Sequence, residues 1–97
     1  MKLVIVPSAL AELQEAAAFY IANATVGLGL QFVAEFERTV ESLLENPQLG
    51  AVFRGTRRRC LLRRFPYSVI YQVAAAELRV IAVAHQRRRP GYWARRK

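Results

Sequence analysis

The hydrophobic residues of this 97-residue chain follow a helical period in its first half and a strand period in its second half. After a β-branched run at Lys2–Val6, which predicts a first strand ending at Pro7, apolar residues recur at steps of three and four. This spacing places side chains on one face of a helix, whereas strand residues alternate between two faces. The chain therefore has to combine helices and a sheet in one small fold.

Two helices are predicted before residue 48. The first is expected after Ser8, which we assign as its N-cap, and the second runs from about Leu30 to Glu45, where Asn46-Pro47 stops it. The residues from Asn23 to Gly29 are predicted to form the break between them, which makes an antiparallel helix hairpin. The predicted apolar stripes are Leu10, Leu13, Ala17 and Tyr20 or Ile21 on the first helix, and Val33, Phe36, Val40 and Leu43 on the second.

Three strands are predicted in the second half, at Arg59–Phe65, Tyr67–Val73 and Leu78–Ala84. Their short connections indicate a meander. The expected fold is a single α+β domain over residues 1–97, in the order β-α-α-β-β-β, with the helix hairpin packed on one face of a small, largely antiparallel sheet. The opposite face is expected to be free for arginines. The residues predicted to share the core are Phe36, Val40, Leu43, Val69, Tyr71, Val80 and Ala82.

Positive charge is concentrated in one half of the chain. Residues 1–50 hold two basic side chains against six acidic ones, whereas residues 51–97 hold thirteen basic side chains against one acid, Glu77. Most of the basic residues are arginine, whose planar fork matches phosphate and carboxylate groups. A genome rich in GC would explain the choice of arginine but not its segregation, so the pattern indicates an anionic partner.

Several classes of protein do not fit the composition. The longest apolar stretch, Val80–Ala84, is too short to span a bilayer, and Pro7 interrupts the N-terminal run before a signal-peptide core can form, so we expect a cytoplasmic protein. A single cysteine, Cys60, excludes an internal disulfide and is interpreted as a small strand residue. With His85 as the only histidine, we predict no metal site and no cofactor.

The order of these elements, with a basic tail after the last strand, resembles the RelE/ParE superfamily of toxins from type II toxin–antitoxin (plasmid stabilisation) systems, over essentially the whole chain. The motifs that carry the resemblance are Asn46-Pro47 followed by Gly50, then Arg64-Phe65-Pro66-Tyr67 leading into Val69-Ile70-Tyr71, and then Ile81-Ala82-Val83-Ala84-His85 running into Arg87-Arg88-Arg89-Pro90-Gly91-Tyr92-Trp93. The resemblance implies a cognate antitoxin protein as partner. Its bound segment is expected to present carboxylates to residues 57–64 and 87–96.

Members of the superfamily differ in their target. ParE-like toxins inhibit DNA gyrase without catalytic residues, and RelE-like toxins cut mRNA on the ribosome. When the chain is matched to RelE, two catalytic arginines fall on Ser68 and Gln86, while Tyr92 keeps the tyrosine and His85 takes the place of a lysine. We therefore favour gyrase inhibition and keep the ribosome-dependent endoribonuclease as the alternative. A nucleic-acid-binding accessory module without toxicity is a third, weaker interpretation.

The candidate site residues follow from this comparison. Under the ribonuclease alternative, His85, Arg88 and Tyr92 are the candidate base, phosphate-binding group and stacking or proton-donating group. The residues predicted to bind the target or the antitoxin are Arg58, Arg63, Arg64, Arg87, Arg88, Arg89, Tyr92 and Trp93.

Each candidate also has a purely structural interpretation. His85 can end the sheet and hydrogen-bond a loop, and Trp93 can pack on the sheet as a hydrophobic cover. The Arg57-Arg58-Arg59 run fits either a solvated strand entry or an antitoxin-docking patch. The glutamates at positions 12, 15 and 41 are interpreted as surface charge.

Overall fold

The computed structural model describes residues 1–97 and contains two helices packed on a five-stranded sheet. Its elements in chain order are β1 (Lys2–Ile5), α1 (Pro7–Asn23), α2 (Val26–Glu45), β2 (Ala51–Arg54), β3 (Arg57–Leu61), β4 (Tyr67–Ala74) and β5 (Glu77–His85). The strand order across the sheet is β1-β5-β4-β3-β2, with β1 parallel to β5 and all other neighbours antiparallel. The predicted α+β architecture is confirmed. Neither helix is long and apolar enough to cross a membrane.

The helix boundaries differ from the predicted ones. Helix α1 begins at Pro7 with Val6 as its N-cap, so Ser8 lies inside the first turn and does not cap the helix. Proline is well suited to a first helical position, because its fixed φ is already helical and its missing N–H would have no intrahelical partner there.

The predicted break between the helices was too long. Only two residues connect them, and Thr25 caps α2 by accepting a hydrogen bond from the backbone N–H of Leu28 at 2.9 Å. Gly29 lies within α2, where a Cβ would come 2.5 Å from a side-chain carbon of Ile21 and 3.0 Å from the carbonyl oxygen of Ala17. This glycine therefore permits a close approach of the two helices and does not end one of them.

The sheet contains one strand that the sequence did not predict. Strand β2 pairs with β3, with Ala51 opposite Arg59, and it extends the meander by a fourth strand. Strand β3 ends at Leu61 and not at Phe65 as predicted, because the chain turns before β4. Phe65 is 8% exposed and packs edge to face against Phe32, so it belongs to the core beneath the helices.

Most of the hydrophobic core lies between the helices and one face of the sheet, and the same buried cluster extends to Ile70 and Trp93 on the other face. All seven residues that the sequence predicted to share a core are buried and belong to one cluster. The first predicted helix stripe was partly wrong, because Leu10 is 41% exposed while Ala9, Leu13 and Ala16 are buried. Helix α1 is thus rotated so that Ala9 takes the inward position that the sequence assigned to Leu10.

A β-bulge in β5 lies where its outer edge, the edge next to β1, loses its strand partner. Opposite β4, the register changes from Tyr71↔Val80 to Ile70↔Ala82, so Ile81 is an extra residue on β5. Strand β1 pairs with β5 only as far as Val80. Such a bulge ends regular pairing and redirects the strand. The outer edge of β5 beyond this point is left for side chains to cover.

Candidate functional site

The last twelve residues, 86–97, form a tail that folds back over the sheet. Trp93 in this tail is only 2% exposed and lies with its ring centroid 5.8 Å from that of Phe53. It lines a cavity of about 210 Å³ together with Ser68 and Ile70 of β4. Because strand residues alternate between faces, and Tyr67 contacts the helix residue Phe32, this cavity lies on the face opposite the helices. That face was predicted to be free, but the tail covers part of it.

Arg57 holds the tail in place. Its Nη1 donates to the carbonyl oxygens of Trp93 and Ala94, both at 3.1 Å, and its Nη2 donates to the carbonyl oxygen of Arg96. Burial lowers the pKa of Arg57, and its guanidinium lies 5.6 Å from the Trp93 ring centroid. At the end of the tail, Arg79 donates to the carbonyl oxygen of Lys97 at 2.6 Å.

The next two arginines of the run have different roles. Arg58 donates to the carbonyl oxygen of Gly50 at 2.7 Å and so holds the loop between α2 and β2. Arg59 is exposed, and its guanidinium lies 4.5 Å from the ring centroid of Phe53. The interpretation of this run as a solvated strand entry is therefore wrong for Arg57 and Arg58, whose guanidinium groups bind backbone carbonyls.

Glu12 was interpreted as surface charge, and this was wrong. Its side chain is 13% exposed and accepts hydrogen bonds from the backbone N–H of Val83 at 3.0 Å, from Arg96 Nη1 at 2.7 Å and from the Tyr92 hydroxyl. Arg96 also donates to the carbonyl oxygen of Ile81 at 3.2 Å. Glu12 and Arg96 thus provide hydrogen-bond partners for backbone groups on the outer edge of β5 at and beyond the bulge. They also connect α1, β5 and the tail.

This network raises the pKa of two of its members, Tyr92 and Arg96. Burial, the hydrogen bond to Glu12 and the Glu12 charge raise the pKa of Tyr92 well above its usual range. The hydrogen bond to Glu12 also raises the pKa of Arg96. Tyr92 therefore stays a neutral hydrogen-bond donor at physiological pH.

His85 is the last residue of β5. Its Nδ1 accepts a hydrogen bond from the backbone N–H of Arg87 at 3.0 Å, and its ring packs edge to face on Tyr67 with the centroids 4.9 Å apart. The hydrogen bond from Arg87 agrees with the structural interpretation of His85, in which this residue ends the sheet and hydrogen-bonds a loop. The Arg88 guanidinium stacks 3.9 Å from the Tyr92 ring centroid. The three candidate catalytic residues line one cavity of about 340 Å³ beside α1.

The other candidate residues lie in two separate places. Arg87 and Arg89 are exposed in the turn after β5, close to Arg88. Arg63 and Arg64 lie in the turn between β3 and β4, on the side of α2.

Both turn arginines contact α2. The backbone N–H of Arg63 donates to Oε2 of Glu35 at 2.9 Å, and Nη2 of Arg64 donates to Gln31 at 3.2 Å. Glu35 is 5% exposed and also pairs with Arg38. The predicted binding residues therefore form a group at the tail and a group at α2, with Arg58 apart from both at the loop between α2 and β2, and they do not make one continuous site.

Comparison with known proteins identifies the family. The family model described as the ParE toxin of the parDE type II toxin–antitoxin system matches residues 3–90. The chain belongs to the ParE toxin family. Among solved structures, a chain described as "Chromosomal ParDE TA system from P. aeruginosa" has a TM-score of 0.78 at 22% sequence identity, covering 88% of this chain and 95% of that chain. At this identity the likeness shows the fold. Comparison with curated proteins gave no match.

Membership in the ParE family confirms the predicted toxin of a type II toxin–antitoxin system, which implies an antitoxin partner, and it supports the ParE interpretation over the RelE alternative. The two positions that the resemblance matched to RelE arginines, Ser68 and Gln86, both line the cavity of about 210 Å³ beneath the tail. In this ParE family member the nearest cations there are instead Arg59, Arg88 and Arg89, which reach the same cavity from β3 and from the turn after β5.

The sequence analysis missed the residues that position the tail, namely Glu12, Arg57 and Arg96. One signal was available for Glu12. It stands three residues after Ala9 and four before Ala16, which are both buried, so it lies on the border of the inward stripe of α1. No comparable signal exists for Arg57 or Arg96, because Arg57 binds backbone carbonyls of the tail and Arg96 binds Glu12, all of them distant in the sequence.

Proposed function

We propose that this ParE-family toxin arrests growth by binding DNA gyrase, without catalysing a reaction, until its antitoxin neutralises it. Family membership supports the toxin role, and the geometry around His85 supports the absence of catalysis. Because its proposed partners are DNA gyrase and the antitoxin, we propose that the toxin acts in the cytoplasm.

The observation that carries this proposal is the hydrogen bond from the Arg87 N–H to Nδ1 of His85. When Nδ1 accepts a hydrogen bond, the proton of the neutral imidazole is assigned to Nε2. Neither nitrogen then offers a free lone pair, which a general base needs in order to take a proton from a 2′-hydroxyl. His85 fits a structural role at the end of β5 better than a catalytic one.

The tail aromatics point in the same direction. RNA cleavage by a RelE-like route would use Tyr92 for stacking or proton donation, but its hydroxyl is bound to Glu12 and its ring is covered by Arg88. Trp93 is 2% exposed, so its ring cannot stack on a base while the tail is in place. These side chains already have partners within the protein.

The exposed surfaces suggest how two protein partners can be accommodated. Large apolar side chains are exposed along the helix hairpin, including Phe19 at 58%, Val26 at 61% and Leu30 at 63%. We assign this surface, with Arg63 and Arg64 at its border, to the antitoxin, because stable protein interfaces have an apolar centre and a polar rim. Arg87–Arg89, at the other end of the sheet, are assigned to the target, which is gyrase together with its DNA.

The test is to compare the parent with His85→Gln in two assays, gyrase supercoiling and mRNA cleavage on translating ribosomes. The glutamine side-chain oxygen can still accept the Arg87 N–H, but glutamine cannot act as a base. We expect supercoiling to be inhibited by both proteins to the same extent.

A ribonuclease using His85 as its base would instead lose about 100- to 10,000-fold in cleavage rate. Loss of toxicity together with ribosomal mRNA cleavage, in a variant that melts like the parent and still binds antitoxin, would contradict the proposal.

A further inference from the structure

Three arginines lie against neighbouring groups near the tail. The guanidinium of Arg59 lies over Phe53 and that of Arg88 over Tyr92, at 4.5 and 3.9 Å from the ring centroids. The third, Arg54, lies against Gly91, where a Cβ would come 2.7 Å from its Nη1 and 2.8 Å from its Cζ. We call Arg54, Arg59 and Arg88 the arginine patch.

The arginine patch has no acidic partner. The ion pairs of the structure use Arg38, Arg79 and Arg96, and none includes a patch residue. Two surface cavities, one beside Arg59 and Arg88 and one beside Arg54, share Arg89, Pro90 and Tyr92 in their walls. The positive charges therefore surround one continuous concave surface whose lining contains no carboxylate, and their potentials add. Glu12, which binds the Tyr92 hydroxyl from the side of α1, is already paired with Arg96.

The orientation of these arginines indicates what they bind. A guanidinium that stacks on a ring presents its N–H groups at the edge, away from the ring, in the arrangement that meets two oxygens of a phosphate. The stacking also fixes the side chain before binding, which reduces the entropy lost on complex formation. Arg59 and Arg88 are thus prepared for anionic oxygens.

The same stacking excludes other modes of recognition. Single-stranded RNA is bound through aromatic faces on which bases stack, but the rings of Phe53 and Tyr92 are covered by their own arginines. A protein partner needs a central apolar anchor, and the apolar side chains Phe19, Val26 and Leu30 are exposed on the helix hairpin instead. A backbone of regularly spaced phosphates on a duplex fits the patch best.

We propose that the arginine patch binds the phosphodiester backbone of duplex DNA. This inference rests on the proposed gyrase function, because gyrase acts on duplex DNA. A toxin that binds the DNA as well as the enzyme remains bound to the gyrase–DNA complex. The contacts are independent of sequence, since phosphate oxygens carry no base information.

The experiment measures binding of the full-length toxin to a fluorescent 20-base-pair duplex of arbitrary sequence, by anisotropy at several salt concentrations. The patch variant combines Arg54→Gln, Arg59→Gln and Arg88→Gln. The matched control combines Lys2→Gln, Arg63→Gln and Arg64→Gln, which removes the same charge outside the patch. Thermal melts and far-UV circular dichroism spectra verify that each variant folds.

For the parent, three phosphate contacts predict that affinity falls about 40-fold between 50 and 200 mM salt, from a slope of about −0.9 per contact. The patch variant is expected to lose most of this dependence and to bind the duplex about 10-fold or more weakly, whereas the control retains the slope of the parent. Binding of the antitoxin is expected to be unchanged in the patch variant.

Three results would overturn the proposal. The first is equal duplex binding by the patch and control variants, and the second is tighter binding of the parent to single-stranded RNA than to the duplex. The third is a patch variant that loses antitoxin binding along with DNA binding. The outcome for gyrase is separate: a parent that binds the duplex through the patch but leaves supercoiling intact would refute the proposed target and leave this inference standing.

Discussion

Glu12 is the residue whose replacement tests the structure most directly, because one carboxylate connects α1, β5 and the tail. The substitution Glu12→Gln keeps the size of the side chain and removes its charge. Its amide can still accept one hydrogen bond, but the ion pair with Arg96 and the charge-assisted bond from Tyr92 are lost. We expect the tail to loosen and the whole domain to lose stability.

The magnitude follows from the exposure of the pair. Exposed ion pairs contribute about 0–1 kcal/mol, and breaking a fully buried pair costs about 3–5 kcal/mol. With Glu12 at 13% and Arg96 at 23% side-chain exposure, the pair lies between these limits. We expect Glu12→Gln to lower the free energy of unfolding by about 2–3 kcal/mol, out of about 5–15 kcal/mol for a domain of this size. The melting temperature should fall by about 10–20 °C.

Two spectroscopic probes can follow the effect in urea. Trp93 is the only tryptophan and is buried in the tail, so its emission reports tail docking, while far-UV circular dichroism reports the helices and sheet. The control is Glu15→Gln, on the same helix but exposed, for which we expect a change within about 0.5 kcal/mol. A double-mutant cycle with Arg96→Gln should give a coupling energy of about 1–3 kcal/mol. A Glu12→Gln variant that unfolds like the parent, with unchanged Trp93 emission, would refute the assignment of Glu12 as the connecting residue.

Three further predictions concern the core, the tail and the β4–β5 turn. Phe36 is 3% exposed, so Phe36→Ala should cost about 3–5 kcal/mol in a thermal melt followed by circular dichroism, and a melt like that of the parent would place it outside the core. Because burial and the bond to Glu12 raise the pKa of Tyr92, its neutral form contributes stability that is complete below the unfolded pKa of about 10 and is lost as pH rises. Unfolding measured from pH 9 to 12 should therefore show a smaller loss for Tyr92→Phe than for the parent. Ala75 and Ala76 have φ values of 51° and 61°, so replacing them with Asn-Gly should stabilise the hairpin by about 1–2 kcal/mol, and an unchanged melting temperature would contradict this.

The parts of the fold that the sequence predicted are those determined by local periodicity. Both helices, the meander and the core positions such as Phe36 and Val80 depend on spacing within a few residues, and the structure confirms them. Strand β2 was missed because its four residues, Ala51–Arg54, contain one β-branched side chain and lack the β-branched run that marks the equally short β1. Gly27 and Gly29, in the first turn of α2, were interpreted as a break because the close packing of two helices is not visible in the sequence of one of them alone.

The tail network could not be predicted for a different reason. Glu12 contacts Val83 and Tyr92 across sequence separations of 71 and 80 residues. Whether a glutamate on the border of an apolar stripe is buried depends on what the tail places above it, and nothing near Glu12 in the sequence determines this. The position of Trp93 likewise depends on Arg57 in a strand 36 residues away.

The structure also changes what the charge of the second half means. Arg57 and Arg58 bind backbone carbonyls, so part of the positive charge serves to hold the tail and a loop. Arg59 and Arg88 stack on aromatic rings and have no acidic partner. Counting basic residues therefore overestimates the charge that is free for a partner. When the arginines that bind carbonyls are set aside, the ring-stacked arginines remain as a small group at one end of the sheet. A variant series aimed at the target should change that group first, because replacing Arg57 would release the tail and confuse loss of binding with loss of structure.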